Sequence, residues 1–381
     1  MLVYAGWILF ALIAVWTVPP VLWMLSRELQ PASPDNGETL PSVSVIMPAR
    51  NEQAAIESSL RSVLNSAGVT FELIVVNDRS TDRTGDIIDS IAATNEHVKA
   101  VHISELPSGW LGKNHAMHIA ARRATGDLLL FTDGDVMYEP TALLTAVRYF
   151  SQRGLKHLCL LPRMLPGSFL ENSVVAFFGL SYAIGQQVHL VRTWWPFAYA
   201  GVGAFNLVDA NFYRSFGGHE RIAMDVLDDV KLGKLVKRHS GRADFLAAPK
   251  LLSLRWQPSL WGVVTGLEKN GFAALNYSVP SILLVTVLFF ITMVSPFVVP
   301  WLVPLRDGSG FVACAALWHV LYGVTAVRVG GSALLFLFFP FGAWMLAFTF
   351  WRSAWITLRQ GGVRWRDSFY PLSELRPGIY R

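Results

Sequence analysis

Asp133-Gly134-Asp135 sets two carboxylates one small residue apart, directly after the apolar run Leu128-Leu129-Leu130-Phe131. Acids at the end of a buried strand are costly unless a cation or a donor meets them. Oxygen ligands at this spacing suit a hard divalent ion such as Mg²⁺ or Mn²⁺, and such an ion can bridge the diphosphate of a nucleotide. Two more polar clusters follow apolar runs: Pro48-Ala49-Arg50-Asn51-Glu52 and Asn77-Asp78-Arg79-Ser80-Thr81-Asp82. Taken singly they have plain structural readings, Asn51 as the cap of a helix beginning at Glu52 and Ser80-Thr81-Asp82 as a turn and N-cap. Together with Asp133 and Asp135 they imply one cleft.

A repeating frame positions these clusters. Residues 43–47, 71–76, 98–103 and 127–132 read as strands, and 52–65, 84–93 and 113–124 as helices. The alternation predicts a parallel sheet with both faces covered. Ligands of such sheets bind outside the carboxyl ends of the strands, where the three clusters fall. No Gly-x-Gly-x-x-Gly follows the first strand, which disfavours a nicotinamide cofactor.

The 381 residues are 52% hydrophobic and 15% charged, too apolar for a disordered chain and too poor in charge for a purely soluble enzyme. Residues 1–27 hold one charge, Arg27; residues 28–269 are near neutral at −1; residues 270–381 carry +5. The basic excess sits in the most apolar part of the chain, which fits the inner edge of membrane helices and argues against a nucleic-acid partner. Cys159 and Cys314 lie in different regions, so neither a disulfide framework nor a cysteine metal site can be built from them.

Residues 1–26 are uncharged and long enough to span a bilayer. No basic region precedes the run and no small-residue cleavage pattern follows it, so an anchor at 1–27 is expected rather than a signal peptide. Charge vanishes again over 270–305, 308–327 and 329–351. These runs predict three C-terminal membrane helices near 279–304, 310–327 and 332–356, with Pro296, Pro300 and Pro340 as kinks. The expected organisation is therefore an anchor at 1–27, a catalytic domain at 28–275, membrane helices at 276–358 and a basic tail at 359–381. One span before the catalytic domain and three after it would separate that domain from the Arg-rich tail, against the positive-inside rule. A re-entrant or interfacial run would resolve the conflict.

The chain resembles the inverting family 2 glycosyltransferases. Ile46-Met47-Pro48-Ala49-Arg50-Asn51-Glu52, Ile74-Val75-Val76-Asn77-Asp78-Arg79-Ser80-Thr81-Asp82, Gly112-Lys113 and Thr125-Gly126-Asp127 through Asp133-Gly134-Asp135 are similar to that family's successive motifs. Downstream, Gly217-Gly218-His219 and Leu227-Asp228-Asp229-Val230 resemble its Gly-Gly turn and its acceptor-side acidic motif. The resemblance, over roughly residues 43–275, implies an α/β GT-A fold with a Rossmann-like mixed sheet, flanked by N-terminal and C-terminal transmembrane helices. It implies that Pro48, Arg50, Glu52 and Asp78 line the nucleotide pocket, that Lys113 approaches the diphosphate, and that Asp135 holds the metal while Asp133 serves ribose or metal. Asp229 would be the general base. Asp228 stands where Glu is commoner, which keeps Asp228 open as the base, and Asp225, four residues before Asp229, is a third candidate.

Leu252-Ser253-Leu254-Arg255-Trp256 keeps the Arg-Trp of the Gln-x-x-Arg-Trp pattern of processive synthases but has Leu in place of Gln. This favours transfer of one sugar, and the segment leading into the membrane run resembles the branch that glycosylates hopanoids, carotenoids or sphingolipids. Phe169, Phe177, Tyr182, Trp194, Trp195, Phe197 and Tyr199 lie between the donor acids and Asp229, as a lipid acceptor or simply a domain core would require. His115 and His118 lack a third metal ligand nearby and read as a helical face. The expected activity is transfer from a nucleotide-sugar, UDP-linked, to a lipid hydroxyl by a multi-pass protein of the cell membrane with its catalytic domain in the cytoplasm. The rivals are a polyprenyl-phosphate sugar transferase and a transporter or scaffold with a degenerate nucleotide-binding domain.

Overall fold

The structure is a computed structural model that describes residues 1–33 and 38–380; Arg381 of the expected tail lies outside them. In chain order the elements are α1 (Leu2–Ser26), β1 (Val43–Ala49), α2 (Ile56–Leu64), β2 (Phe71–Asp78), α3 (Thr84–Ala92), β3 (Val98–Ile103), α4 (Gly112–Arg123), β4 (Leu128–Phe131), β5 (Met137–Tyr138) and α5 (Ala142–Gln152). Then come β6 (His157–Leu161), β7 (Arg163–Met164), α6 (Phe169–Gly185), β8 (Asn206–Asp209), α7 (Ala210–Ser215), α8 (Asp228–Arg238), β9 (Ala243–Ala247) and β10 (Leu252–Leu254). The last are α9 (Leu260–Ala274), α10 (Val279–Phe289), α11 (Ser295–Val298), α12 (Leu305–Arg328), α13 (Phe339–Gln360), β11 (Gly362–Trp365), β12 (Ser368–Pro371) and α14 (Leu372–Gly378).

These elements form two compact units. One comprises residues 27–33, 38–164, 190–255 and 373–380, the other 1–26, 165–189 and 256–372. Residues 165–189 and 256–275, assigned to the catalytic domain from sequence, thus group with the apolar helices, and the end of the basic tail groups with the α/β unit.

The α/β unit is built on a seven-stranded sheet of order β3-β2-β1-β4-β8-β6-β9. β1, β2, β3 and β4 pair in parallel, as the alternation predicted. The sheet as a whole is mixed, as the family resemblance implied and the alternation did not: β8 runs antiparallel to both β4 and β6. The reason lies in its approach. The chain reaches β8 from the rim that carries Asp133, where Asp133 N donates to Gly203 O (3.0 Å) and Thr132 Oγ1 to Ala204 O (2.8 Å). A strand entering from the carboxyl ends of its neighbours must run against them. β1 and β4 are almost wholly buried, which is why they read as unbroken apolar runs.

In the helical unit, Val21, Phe177, Leu180, Trp318, Tyr322, Leu335 and Phe339 share one apolar cluster. Among the described residues four segments are long and apolar enough to cross a membrane: Leu2–Ser26, Val279–Trp301, Leu305–Arg328 and Ala333–Gln360. Pro296 and Pro300 sit in the broken stretch after a π turn at Phe290–Val294, as kinks. Pro340 sits likewise, in the first turn of α13 directly after a 3-10 stretch at Ala333–Phe338, where its missing N–H costs nothing.

Candidate active site

The first two strand-end loops are laced together. Asn51 N donates to Ser80 Oγ (3.1 Å), Thr81 N to Asn51 Oδ1 (2.8 Å), Glu52 N to Thr84 Oγ1 (2.8 Å) and Gln53 N to Asp82 Oδ2 (3.2 Å). Asn51 therefore bridges loops rather than capping α2, which starts later, at Ile56. Asn51 and Arg79 hold left-handed backbone (φ 54° and 56°), a strained conformation of the kind that gathers at functional sites. Asp78, buried at the end of β2, receives the Arg79 guanidinium on both oxygens (2.8 and 3.2 Å). A Cβ on Gly112 would overlap the Asp78 carboxylate, so glycine is what lets α4 begin against it.

Pro48, Arg50 and Glu52 follow on the β1 rim, and a Cβ added to Gly134 would lie within 4 Å of Pro48 O and of Glu52. Pro48 and Glu52 thus gather beside Asp133 and Asp135. Burial pushes the Asp135 carboxyl up to about 7, with Asp133 and Glu52 adding to the effect. At that value the carboxyl is only half ionised at neutral pH, and a nearby cation would complete its ionisation. Among the described residues no group of three or more His, Cys, Asp or Glu could hold an ion by itself. Two neighbouring carboxylates, one of them raised by the other, suit a Mg²⁺ or Mn²⁺ ion whose remaining oxygen ligands a substrate would supply, so the residues fit such an ion.

Lys113, in the first turn of α4, lies between the two acidic groups. Its Nζ is 2.8 Å from Asp133 Oδ1 and 3.2 Å from Asp228 Oδ2. Burial opposes its charge, yet Asp133, Asp228 and Asp229 hold the ammonium protonated well above its usual range. Asn114 fixes this arrangement, donating to the carbonyls of Ile222 (2.7 Å) and Asp225 (2.9 Å) in the loop before α8.

Asp228 and Asp229 open α8. Asp229 is half-buried, and it accepts from Gly203 N (2.8 Å) and Val230 N (2.7 Å). Burial, then Asp228 beside it, pushes its carboxyl up to about 7, the range in which a carboxylate serves as a general base at neutral pH. Behind it Cys159 is buried, its thiol pushed up by burial and by Asp229, as expected of an inert thiol. Asp225 is already engaged: Lys231 Nζ lies 3.4 Å from one oxygen and Tyr380 N donates to the other (2.8 Å), while Lys231 Nζ also donates to Tyr380 O (2.8 Å). It clamps the 373–380 segment.

The structure brings Asp133, Lys113, Asp228 and Asp229 together through a residue that sequence reading missed. Gly203 accepts from Asp133 N through its carbonyl and donates to Asp229, and a Cβ there would overlap the Asp133 carboxylate. Gly201 likewise backs onto the Asp229 carbonyl. The Gly-x-Gly within 200–204 was the available signal. His115 and His118 lie against Trp110 (ring centroids 5.5 and 4.9 Å) and share the donor-side helix α4.

Upstream of Gly201, Trp194, Trp195 and Phe197 form an exposed aromatic cluster, 84%, 40% and 74% accessible. The loop is nonetheless fixed, because Lys237 donates to the carbonyls of Val191 (2.8 Å) and Thr193.

Residues 44–175 match the family described as glycosyl transferase family 2. A 4,4'-diaponeurosporenoate glycosyltransferase of Staphylococcus haemolyticus is 25% identical over 264 residues, 68% of this chain and 69% of that one. A protein of the same name from Staphylococcus aureus is 28% identical over 194 residues, half of each chain. Among solved structures, a mannosyltransferase from Pyrobaculum calidifontis in complex with GDP-Man and Mn²⁺ matches at TM-score 0.51 and 18% identity, covering 94% of this chain and 98% of that one. That likeness is one of fold, and the fold is GT-A.

Proposed function

We propose that this chain, which carries a family 2 glycosyltransferase domain, transfers one sugar from a nucleotide-sugar to the hydroxyl of a membrane lipid with inversion. The observation that supports it most is Asp229, half-buried and raised to about 7, held by Gly203 across from the donor acids. Its carboxylate takes the hydroxyl proton as the acceptor oxygen bonds to the anomeric carbon. The bond from that carbon to the diphosphate breaks on the opposite face, and the electron pair leaves with the nucleotide. Lys113 balances the departing charge from its place between Asp133 and Asp228. Asp78, with Pro48, Arg50 and Glu52 along the rim, binds the nucleoside end. Asp135 and Asp133 would hold Mg²⁺ or Mn²⁺, which supplies positive charge to the diphosphate.

A lipid acceptor is supported by the aromatic cluster at 194–197, since tryptophan and phenylalanine exposed in this way suit a bilayer interface. The staphylococcal relatives are named for a diaponeurosporenoate, a lipid carboxylate, and this favours a second reading in which the acceptor is a carboxylate that needs no base. The test is turnover of a radiolabelled UDP-sugar by purified protein in lipid nanodiscs. Asp229→Asn should abolish transfer to lipid alcohols if the first reading holds; undiminished transfer to a lipid carboxylate by that variant would replace it with the second. We further propose a multi-pass protein of the cell membrane whose catalytic domain faces the cytoplasm.

A further inference from the structure

The helices of the apolar unit have readable directions. α1 and α12 run the same way: a Cβ on Gly310 would overlap the Gly6 backbone, Cys314 Sγ lies 3.9 Å from Gly6 O, and at the far end Arg328 Nε donates to Met24 O (3.3 Å). α10 and α11 run against them. Trp318 Nε1 donates to Thr292 O (2.8 Å), the Phe297 ring lies 5.4 Å from that of His319, and Gly308 faces Pro300. The end of α1, the end of α12 and the start of α10 therefore share one side, and the turn at 302–304 marks the other.

The segment after α12 does not travel to that other side. Gly331 N donates to Ala326 O (2.8 Å) and packs against Leu335; Phe336 lies against Gly323. Phe339 meets the rings of Trp318 (5.6 Å), His319 (5.7 Å) and Tyr322 (5.9 Å). The chain has thus backed along α12 by six to ten residues, roughly 9–15 Å at 1.5 Å per residue, at most half of a hydrocarbon core about 30 Å thick. α13 then turns back. Trp344 touches Phe289 (5.1 Å) and Phe290 (6.0 Å), Trp351 Nε1 donates to Thr286 Oγ1 (2.9 Å), Arg352 Nε donates to Glu268 (3.0 Å), and Phe272 N donates to Ser353 Oγ (2.8 Å). Along α10 the partners descend from Phe290 to Thr286, toward its start, with α9 beside α13 at the same level.

We infer that Ala333–Gln360, long and apolar enough to span, instead enters a single leaflet beside α12 and returns to the side it left. The protein crosses the bilayer three times, through α1, α10–α11 and α12. The partner of the re-entrant surface is one leaflet, met by the exposed side chains of Leu334, Phe336 and Leu337. The charges agree. Arg27, Arg328, Arg352, Arg359, Arg364 and Arg366 all fall on the side where α1 and α12 end, and only Arg306, next to Asp307, falls by the other turn. Under the positive-inside rule the arginine-rich side is the cytoplasm. The conflict in counting spans disappears, because residues 27–164 and 373–380 then emerge on one side.

Sidedness can be read without reference to donor or acceptor. Single cysteines at Ser104, Leu302 and Ser373, placed in a full-length Cys159→Ser, Cys314→Ala background, are exposed to a membrane-impermeant maleimide on intact cells and again after permeabilisation. Leu302→Cys should react in intact cells, and Ser104→Cys and Ser373→Cys only after permeabilisation. Labelling of Ser373→Cys in intact cells, with Ser104→Cys protected, would mean that the last segment crosses and would overturn the inference; so would protection of Leu302→Cys. Should the substituted background fail to accumulate, the unaltered full chain fused at its C-terminus to green fluorescent protein or to alkaline phosphatase decides. Fluorescence without phosphatase activity is expected, and the reverse refutes it.

Discussion

Three carboxylates within five residues, Asp225, Asp228 and Asp229, differ in their surroundings rather than their chemistry, and each difference makes a measurable forecast. Asp229→Asn keeps the shape and the Gly203 contact but removes the basicity, so turnover should fall on the order of a hundredfold to ten-thousandfold, while UDP affinity by calorimetry changes little. Asp228→Asn removes one of the three carboxylates around Lys113, so its effect should appear in the donor KM and be milder in kcat. Asp225→Asn weakens the hold on Lys231 and Tyr380 and should lower thermal stability with little loss of rate. The pH profile follows from the same geometry. A base whose carboxyl titrates near 7 is protonated and idle below that pH, so kcat/KM should climb about tenfold per pH unit below 7 and level off above it; a flat profile from pH 5 to 8 rules out Asp229. Excess chelator should weaken UDP-sugar binding, and Asp135→Ala should remove the dependence together with the binding. Asp78, Asp133 and Asp135 were legible in the sequence because they end or follow apolar strands with no other reason to carry charge, and Asp228 and Asp229 only through the resemblance of their motif. Gly201, Gly203 and Asn114 were not, because their roles rest on contacts to residues far along the chain.

At the scale of elements, β1 to β4 and α2 to α4 were readable within a few residues, since long apolar runs and 3.6-residue periods survive without context. β6, β8 and β9 were not. β8 has four residues and follows an aromatic loop, and its reversed direction depends on which rim the chain arrives from. That loop carries its own forecast. Gly203→Ala forces a methyl into the Asp133 carboxylate, so both UDP affinity and turnover should fall together, which separates it from Asp229→Asn. A second concerns β9, whose fully buried Asp244 accepts from Tyr149 Oη (2.6 Å) and Phe245 N (2.9 Å) and lies 3.7 Å from Arg27 and 3.5 Å from Arg192. Asp244→Ala leaves that pocket without its anion and should destabilise by about 3 kcal/mol, seen as a melting temperature lowered by several degrees in detergent.

For the whole molecule, the distribution of apolar segments predicts that alkaline carbonate leaves the protein in the membrane pellet, and its appearance in the wash would remove the integral-membrane reading. The number of apolar runs was legible; their directions were not, because hydropathy records length and composition while direction is set by pairings such as Gly6 with Gly310. That pairing also imposes an order in time. Gly6 and Cys314 are 308 residues apart, and at 5–20 residues per second the ribosome needs roughly 15–60 s to make the chain between them. Throughout that interval the Gly6 face of α1 waits in the bilayer for a neighbour not yet synthesised, while residues 27–164 and 190–255 of the α/β unit emerge. The first helix made is among the last to be completed, so a chain interrupted before α12 leaves α1 with α6 but without the helix that covers Gly6.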